Sequence, residues 1–200
     1  MAKVSAKLVK ELRDKSGAGI LDCKKALVEA GGDLAAAELA LRKRGVAIAK
    51  KKSGRAVKEG VIGSYIHAGG KLGVLIEVNC ESDFVARTAD FQQLVKDIAM
   101  QVAAADPQYV VRDQVPDDLV ERERQIQRER ALQEGKPEFI VERIVDGRMG
   151  KFYEEVVLVD QPFVKDPSIS VGDLVQRAIA KLGENIAVRR FQRYKVGEDL

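Results

Sequence analysis

The sequence predicts an α+β fold: a three-helix N-terminal bundle, then packed helices on a three-stranded antiparallel sheet. Short amphipathic segments separated by glycines in residues 1–45 indicate the bundle. Alternating apolar residues on both sides of Ala68-Gly69-Gly70-Lys71 predict a β-hairpin, and residues 186–194 predict a third strand. We expect two modules, residues 1–58 and residues 59–200.

The composition is that of a globular, highly charged chain. Hydrophobic residues make up 46% and charged residues 32% of the 200 positions. No apolar run approaches the ~18 residues of a membrane span, and the first residues do not resemble a signal peptide. One histidine and two distant cysteines cannot assemble a four-ligand zinc site. We therefore expect a reduced, cytoplasmic protein without metal or cofactor, and no binding to membranes.

The charge is unevenly distributed between the two modules. Residues 1–58 carry 15 Lys and Arg against 6 Asp and Glu, whereas the remainder carries 19 against 25. The basic module lacks the aromatic residues that stack on bases, so we expect no direct binding to nucleic acid. An acidic protein surface or a ribosome-associated partner fits this charge equally well.

The N-terminal module reads as three helices. The first covers residues 5–16 and ends at Gly17-Ala18-Gly19, and the third begins after Asp33 and stops at Gly45. Cys23 lies on the apolar face of the second helix, where a small buried residue is expected. The segment Lys50–Arg55 is interpreted as a solvated linker, with a helical extension as the alternative.

The core module begins with the hairpin and continues with helices. His67 stands at the hairpin tip and is expected to be exposed. A long amphipathic helix covers Phe91–Val102, and a polar helix then leads to a return helix, forming a protruding helical hairpin at about residues 117–150. Residues 156–159 fit either a helix end or a strand. We expect a rigid loop over Gln161–Pro167, then a helix from Ser170 or Val171 to Leu182.

The stretch Asn79–Arg87 lies between the second strand and the long helix. Ser82 and Thr88 are candidate helix N-caps, and Asp83 and Phe84 stand between them. Phe84 either fills the core or is displayed for a partner. The sequence contains no phosphate-binding loop, no Gly-x-Ser-x-Gly and no His-Glu-x-x-His. A catalytic centre is therefore not expected, and the protein is predicted not to be an enzyme.

Several sequence blocks together resemble one known family. They are Asn79-Cys80-Glu81-Ser82-Asp83-Phe84-Val85-Ala86, Leu8–Arg13, Ser16–Leu27, Gly135-Lys136-Pro137, Gln161–Val164, Gly183-Glu184-Asn185-Ile186 and Arg189-Arg190-Phe191. In this order they resemble the elongation factor Ts family, in its short form, whose members exchange guanine nucleotide on the GTPase elongation factor Tu. The family usually has Thr at the position of Ser82, which keeps the capping hydroxyl.

The resemblance implies a function and a set of contact residues. The implied function is to bind elongation factor Tu with GDP and promote GDP release, with segment Ser82-Asp83-Phe84-Val85 inserting and displacing Mg²⁺. The implied partner contacts are Leu12, Arg13, Gly17, Gly19, Ile20, Leu21 and, at the hairpin tip, His67. Relatives usually have two methionines where this chain has Ile20-Leu21.

The resemblance also implies a fold and an assembly. The N-terminal bundle would be similar to ubiquitin-associated (UBA) domains, and the helical hairpin would be a coiled-coil arm. Because His67 and Phe84 lie on or next to a single hairpin, we expect a homodimer that stacks two sheets. Gln192 stands where some short members have a cysteine, so no covalent link is expected.

Two other functions remain open at this point. One is a UBA-like helical adaptor for ubiquitin-like or nascent-chain partners, and the other is a basic RNA-binding protein. A pull-down from lysate distinguishes them by recovering one stoichiometric GTPase, a mixture of peptides, or RNA that is lost steeply with salt. The residues do not distinguish a bacterial from an organellar source.

Overall fold

A computed structural model describes residues 4–198 of the chain. The first elements are α1 (Ala6–Ser16), α2 (Ile20–Glu29), α3 (Leu34–Lys52), β1 (Glu59–Ile66), β2 (Leu72–Cys80), α4 (Asp83–Ala86) and α5 (Ala89–Ala105). They are followed by α6 (Asp117–Gln133), α7 (Glu138–Val156), β3 (Pro162–Phe163), β4 (Asp166–Ser170), α8 (Val171–Leu182) and β5 (Ile186–Lys195). Single 3-10 turns cover Arg112–Gln114 and Leu158–Asp160. The predicted α+β class is confirmed.

The contacts divide the chain into two compact units. The first takes the chain as far as Gly63, together with Glu77–Lys96 and Asp173–Val188. The second takes Ser64–Ile76, Asp97–Gly172 and the chain from Arg189 onward. Several strands and helices contribute residues to both units. The two sequential modules, residues 1–58 and 59–200, stay a prediction.

Three helices form the N-terminal bundle within the first unit. Ser5 caps α1 by accepting a hydrogen bond from the Leu8 amide, and Gly17 ends the helix at φ 66°, a left-handed conformation that suits glycine. The core of the bundle contains residues of all three helices, namely Val9, Leu12, Cys23, Ala26, Leu27, Ala37 and Leu41. The prediction of three helices is therefore correct, and the likeness to UBA domains stays a prediction.

The third helix does not stop at Gly45, as the sequence suggested, but continues to Lys52. Gly45 lies beside α8, because a β-carbon at this position would be 3.6 Å from the Ala180 side chain, an ordinary van der Waals contact. Ala49, one turn further on, is buried. The interpretation of Lys50–Lys52 as a solvated linker is therefore wrong, and the helical extension is the observed alternative, because tertiary packing outweighs the low helix propensity of glycine.

The three-stranded antiparallel sheet has the strand order β1-β2-β5. Along β2 the side chains alternate, with Val74, Ile76, Val78 and Cys80 buried and Leu75 exposed. This alternation is the expected pattern of a strand that packs on one face only. The strand predicted at residues 186–194 is thus observed as β5, at the edge of the sheet beside β2.

Helices α6 and α7 pack against each other within the second unit. Their shared apolar cluster contains Ala131, Val141, Val145 and Met149. Arg124 forms ion pairs with Glu142 and Asp146 on the facing helix. The segment 156–159 fitted either a helix end or a strand. The structure has the helix end, because α7 ends at Val156 and a 3-10 turn begins at Leu158. Whether the pair protrudes as a coiled-coil arm stays a prediction.

The segment Gln161–Pro167 was expected to be a rigid loop, but it contributes to a small hairpin formed by β3 and β4. Its anchor is a buried pair of amides, because Gln101 Nε2 donates to Gln161 Oε1 over 3.1 Å and to Pro162 O over 3.2 Å. Gln101 Oε1 also accepts a hydrogen bond from the Val164 amide. These long-range partners are absent from the local sequence pattern, which explains the error. Within residues 4–198, no helix is long and apolar enough to cross a membrane.

Candidate partner-binding site

The candidate site is built on the turn that joins β2 to α5. Ser82 has extended backbone angles, and its hydroxyl accepts a hydrogen bond from the Val85 amide, which caps the four-residue helix α4. Thr88 then accepts from the Phe91 amide at the start of the next helix. Both predicted caps are confirmed. The turn therefore has a defined conformation between two rigid elements.

Neighbouring side chains on this turn face in opposite directions. The Phe84 side chain is 81% exposed, whereas Val85 and Ala86 are buried at 5% and 2% exposure. The ring gains little from burial in the free chain, so most of its apolar surface is available to a partner. Phe84 is thus not part of the chain's own core, and the interpretation of Phe84 as a core residue is wrong.

Asp83 begins α4 and is engaged by Arg87 one turn later. Arg87 Nε donates to Asp83 Oδ1 over 3.2 Å, and a second contact joins Arg87 Nη2 to Asp83 Oδ2. Both side chains are more than half exposed. An exposed pair at this spacing is worth at most about 1 kcal/mol, so a partner could replace either contact at little cost.

Two carboxylates bind the turn to the segment between α8 and β5. Glu184 accepts from the Ser82 amide at 3.0 Å and from the Ser82 hydroxyl at 2.6 Å. In the reverse direction, Glu81 accepts from the Asn185 amide at 2.6 Å. We refer to Glu81, Ser82, Glu184 and Asn185 as the polar lock.

Electrostatics around the polar lock shift two pKa values. The Asn185 amide, and after it the Arg55 guanidinium, hold the pKa of the Glu81 carboxyl below its usual value, although partial burial opposes them. Burial, and after it the charge of Glu184, raise the pKa of the Cys80 thiol. Cys80 is fully buried and donates to Ser82 O over 3.1 Å. It is a structural residue beneath the turn, since the protonated thiol is a poor nucleophile.

A second candidate surface lies on the N-terminal bundle at the break between α1 and α2. Ile20 and Leu21 are 57% and 78% exposed, and Gly17 and Gly19 flank the break. Arg13 is exposed in the last turn of α1. Leu12, in contrast, is fully buried in the bundle core, so its side chain supports this surface from beneath and is not part of it.

His67 follows the end of β1 and is exposed, as expected for the hairpin tip. Its Nδ1 lies 3.0 Å from the Tyr65 hydroxyl, and its backbone amide donates to Leu72 O at the start of β2. The histidine belongs to the second unit, whereas the turn with Phe84 and the N-terminal surface belong to the first.

The comparisons with known proteins decide the family. The family model described as "Elongation factor TS" matches residues 35–198. A protein named elongation factor Ts from Solibacter usitatus is 60% identical over 99% of this chain and 93% of its own length. Proteins of the same name from Anaeromyxobacter sp. and Desulforamulus reducens are 59% and 56% identical over all of this chain, covering 91% and 92% of their own lengths. The chain belongs to the elongation factor Ts family. The resemblance stated from the sequence is thereby confirmed, and the chain is a translation elongation factor.

The candidate residues of this chain fall into three places. Ser82, Asp83, Phe84 and Val85 lie together on one turn, with only Asp83 and Phe84 displayed to solvent. Arg13, Gly17, Gly19, Ile20 and Leu21 lie together at the helix break, and His67 lies at the hairpin tip. In the part of the chain that the structure describes, no group of three or more His, Cys, Asp or Glu side chains is arranged to hold a metal ion.

Sequence reasoning missed the two carboxylates that hold the turn. Glu184 stands within the block Gly183-Glu184-Asn185-Ile186, but the local sequence gives it no role because its partner Ser82 is 102 residues away. The available signal was the resemblance itself, because this block matches the family and contains a carboxylate, that of Glu184, to which no function was assigned. Glu81 gave a similar signal, directly before the capping serine.

Proposed function

We propose that this chain is a guanine-nucleotide exchange factor that binds elongation factor Tu in its GDP-bound and nucleotide-free forms and promotes the replacement of GDP by GTP. The observation that carries this proposal is the exposure of Phe84, 81%, on a turn whose other apolar side chains are buried. Membership of the elongation factor Ts family supports the choice of partner.

The exchange itself is a matter of differential binding. A factor that binds the nucleotide-free GTPase more tightly than the GDP-bound form must, by reciprocity, weaken GDP binding by the same ratio. Full burial of a phenylalanine side chain is worth roughly 1.5–3 kcal/mol. If Phe84 is buried only in the nucleotide-free complex, this energy corresponds to about one to two powers of ten in GDP affinity.

The segment Ser82-Asp83-Phe84-Val85 would act on the Mg²⁺ ion of the GTPase. A bound Mg²⁺ bridges the nucleotide phosphates and the protein, so displacing it weakens nucleotide binding. Phe84 would insert between helices of the GTPase and move them apart. Asp83 need not touch the ion for this effect, and its pairing with Arg87 keeps its charge compensated in the free factor.

The N-terminal surface and His67 would supply further contacts with the same GTPase. Arg13, Ile20 and Leu21 offer charge and apolar area at the helix break, where relatives of this family bind the nucleotide domain. His67 would contact a different domain of the GTPase, as a histidine at a matching hairpin does in longer members. All of these contacts are protein–protein contacts, so the proposed function includes no step in which a covalent bond is made or broken. Because the proposed partner is a translation factor, we also assign the protein to the cytoplasm.

We further infer that two copies pair through the outward face of the sheet. Ile66 and Leu75 are 65% and 49% exposed. They share this face, because a β-carbon at Gly73 would lie 2.9 Å from Ile66 Cδ1. Stacking two such faces about a two-fold axis would remove this apolar surface from water.

The proposed function is tested by loading elongation factor Tu with fluorescent GDP and adding the full chain with excess unlabelled GTP at fixed Mg²⁺. We expect GDP release to accelerate in proportion to factor concentration until it saturates. A release rate equal to that without factor, from a chain that melts cooperatively and is therefore folded, would refute the proposal. A pull-down with the full chain checks the partner, because recovery of a peptide mixture or of RNA would favour the two alternative functions.

A further inference from the structure

We propose that Glu184 is a positioning residue, and that the polar lock holds Phe84 in its exposed conformation and ties the turn to the end of α3. This inference rests on the proposed exchange function and assigns a role to residues that do not contact the GTPase. Glu184 would act through Ser82, the residue that caps α4.

The turn needs such support because it is too short to be stable alone. Helix α4 has four residues, and a helix of one turn is unstable without external contacts since nucleation is unfavourable. Phe84 contributes little packing to the folded chain, as its exposure shows. The conformation of the turn must therefore be fixed by its caps and by the residues that hold the caps.

Glu184 accepts two hydrogen bonds from Ser82, the residue that caps α4. One carboxylate oxygen accepts the Ser82 amide and the other accepts the Ser82 hydroxyl, at 3.0 and 2.6 Å. The Ser82 amide requires an acceptor, whereas the Ser82 hydroxyl can donate or accept. A glutamine has the same shape and could keep both contacts if the hydroxyl turned to accept from its amide nitrogen, but it would lose the negative charge. Because the acceptor is charged, each bond is stronger than a neutral one.

The lock also reaches α3, the helix that continues from the N-terminal bundle. Asn185 is buried, and its side-chain amide donates to Ser53 O at 3.3 Å and to Arg55 O at 2.8 Å, directly after α3 ends. Lys52 donates to the carbonyl of Gly183. All these residues belong to the first unit. The turn and the end of α3 are thus held by the same short segment between α8 and β5.

Two contacts in opposite directions make the lock cooperative. Glu184 accepts from the turn, and Glu81, adjacent to the turn, accepts from the Asn185 amide. Loss of either carboxylate would allow the turn and the segment between α8 and β5 to move apart, which would weaken the contact made by the other carboxylate. We therefore expect the effects of replacing Glu81 and Glu184 to be coupled and not independent.

The experiment compares the full chain with Glu184→Gln, Glu81→Gln, the double variant and the control Glu29→Gln. The control breaks the exposed ion pair of Glu29 with Arg44 in the same unit, away from the lock. Fluorescent GDP release from elongation factor Tu is titrated with each variant at a temperature at which all are folded. We expect Glu184→Gln to lower the maximal release rate by about tenfold, because both contacts with Ser82 lose a charged acceptor, with little change in the half-saturating concentration.

This division of effects distinguishes positioning from a general loss of structure. A partly unfolded factor behaves as a lower concentration of intact factor, so adding more of it restores the maximal rate, whereas a misplaced Phe84 does not. We also expect faster hydrogen exchange at the Val85 amide of free Glu184→Gln, and a double variant that loses less than the product of the single losses. If Glu184→Gln fails to fold, Glu184→Asp replaces it, because the shorter carboxylate keeps the charge but does not reach both donors.

Each outcome has a defined meaning. An unchanged maximal rate for Glu184→Gln, or a loss that is matched by Glu29→Gln or restored by more factor, would overturn the inference. If the unmodified chain does not accelerate GDP release at all, the proposed function fails. Faster Val85 amide exchange in free Glu184→Gln would then support the structural part of the lock, and unchanged exchange would overturn that part as well.

Discussion

Phe84 and Phe91 stand seven positions apart on either side of the Thr88 cap, and they occupy opposite environments. Phe84 is 81% exposed, whereas Phe91 is completely buried in the first turn of α5. The two side chains are identical, so they differ only in whether the ring is exposed or buried. They form a matched pair with which the purpose of the exposed ring can be tested.

Replacing Phe84 by alanine is expected to slow GDP release and leave stability nearly unchanged. The exposed ring contributes little to folding, so its removal should have an effect within about 0.5 kcal/mol, as for other surface substitutions. The control Phe91→Ala removes a buried ring and should cost about 3–5 kcal/mol of unfolding free energy. Fluorescent GDP release and denaturant unfolding are measured on both variants. A Phe84→Ala variant that exchanges normally, or that unfolds as readily as Phe91→Ala, would contradict the proposed role of the ring.

Ser82 should tolerate threonine but not alanine. Its hydroxyl accepts from the Val85 amide and donates to Glu184, and threonine keeps both functions. Ser82→Ala loses the cap at a cost of about 1 kcal/mol, and it removes one of the two bonds to Glu184. We expect slower GDP release for Ser82→Ala and near-normal release for Ser82→Thr, with both variants compared at equal folded fraction by circular dichroism. Equal rates for the two variants would show that the hydroxyl is dispensable.

The sequence was sufficient for the elements whose signals are local. Capping by Ser82 and Thr88, the β-hairpin before them and the long helix after them all depend on residues within a few positions of one another. The continuation of α3 through Gly45 was missed because its packing neighbour there, Ala180, is 135 positions away. The polar lock was missed for the same reason.

The exposure of Phe84 could not be derived from its own neighbourhood. Phe84 and Val85 are both apolar, and a helix of four residues has too little periodicity to show which of them faces inward. The resemblance to a family suggested that the ring is displayed. The burial of Leu12, which the same resemblance placed among the partner contacts, shows that such a transfer does not distinguish a contacting side chain from one that supports it.

Leu21 is expected to contribute to binding and Leu27 to folding. Both are leucines of α2, but Leu21 is 78% exposed and Leu27 is fully buried. Leu21→Ala should raise the half-saturating concentration of the factor in the GDP-release assay without changing its melting. Leu27→Ala should lower the unfolding free energy by about 2–5 kcal/mol. Unaltered binding of Leu21→Ala would remove this part of the bundle from the proposed contact surface.

The lowered pKa of Glu81 predicts a specific acid sensitivity. Because the folded-state pKa lies below the unfolded-state value, this group contributes stability that is fully present above the ordinary glutamate pKa of about 4.3. The contribution is lost as the pH falls through the lower, folded-state pKa. Unfolding by urea is measured from pH 7 to pH 3 for the full chain and for Glu81→Gln. We expect the difference between them to be constant near neutral pH and to shrink in the acid range; a constant difference throughout would contradict the shift.

Self-association is expected through the outward face of the sheet. At micromolar concentration the chain should sediment as a dimer, near twice the 22.0 kDa of one chain. Introducing a charge by Leu75→Lys should give a monomer, since a buried unpaired charge is costly. Ile126→Lys serves as the control, because Ile126 is similarly exposed, at 43%, but lies on α6. A single-chain mass for the unmodified protein would refute the dimer.

The separation of Ser82 and Glu184 in the sequence has a consequence for the synthesis of this protein. Chains grow from the N-terminus at about 5–20 residues per second, so the 102 residues between the two partners take roughly 5–20 seconds to add. During that interval the serine has been made but its acceptor has not. A growing chain, or a product released before Glu184, can carry the complete Ser82–Val85 segment without the contact that gives it shape. The ribosome therefore produces the Ser82–Val85 segment early, and the segment can reach its locked conformation only after Glu184 has been added.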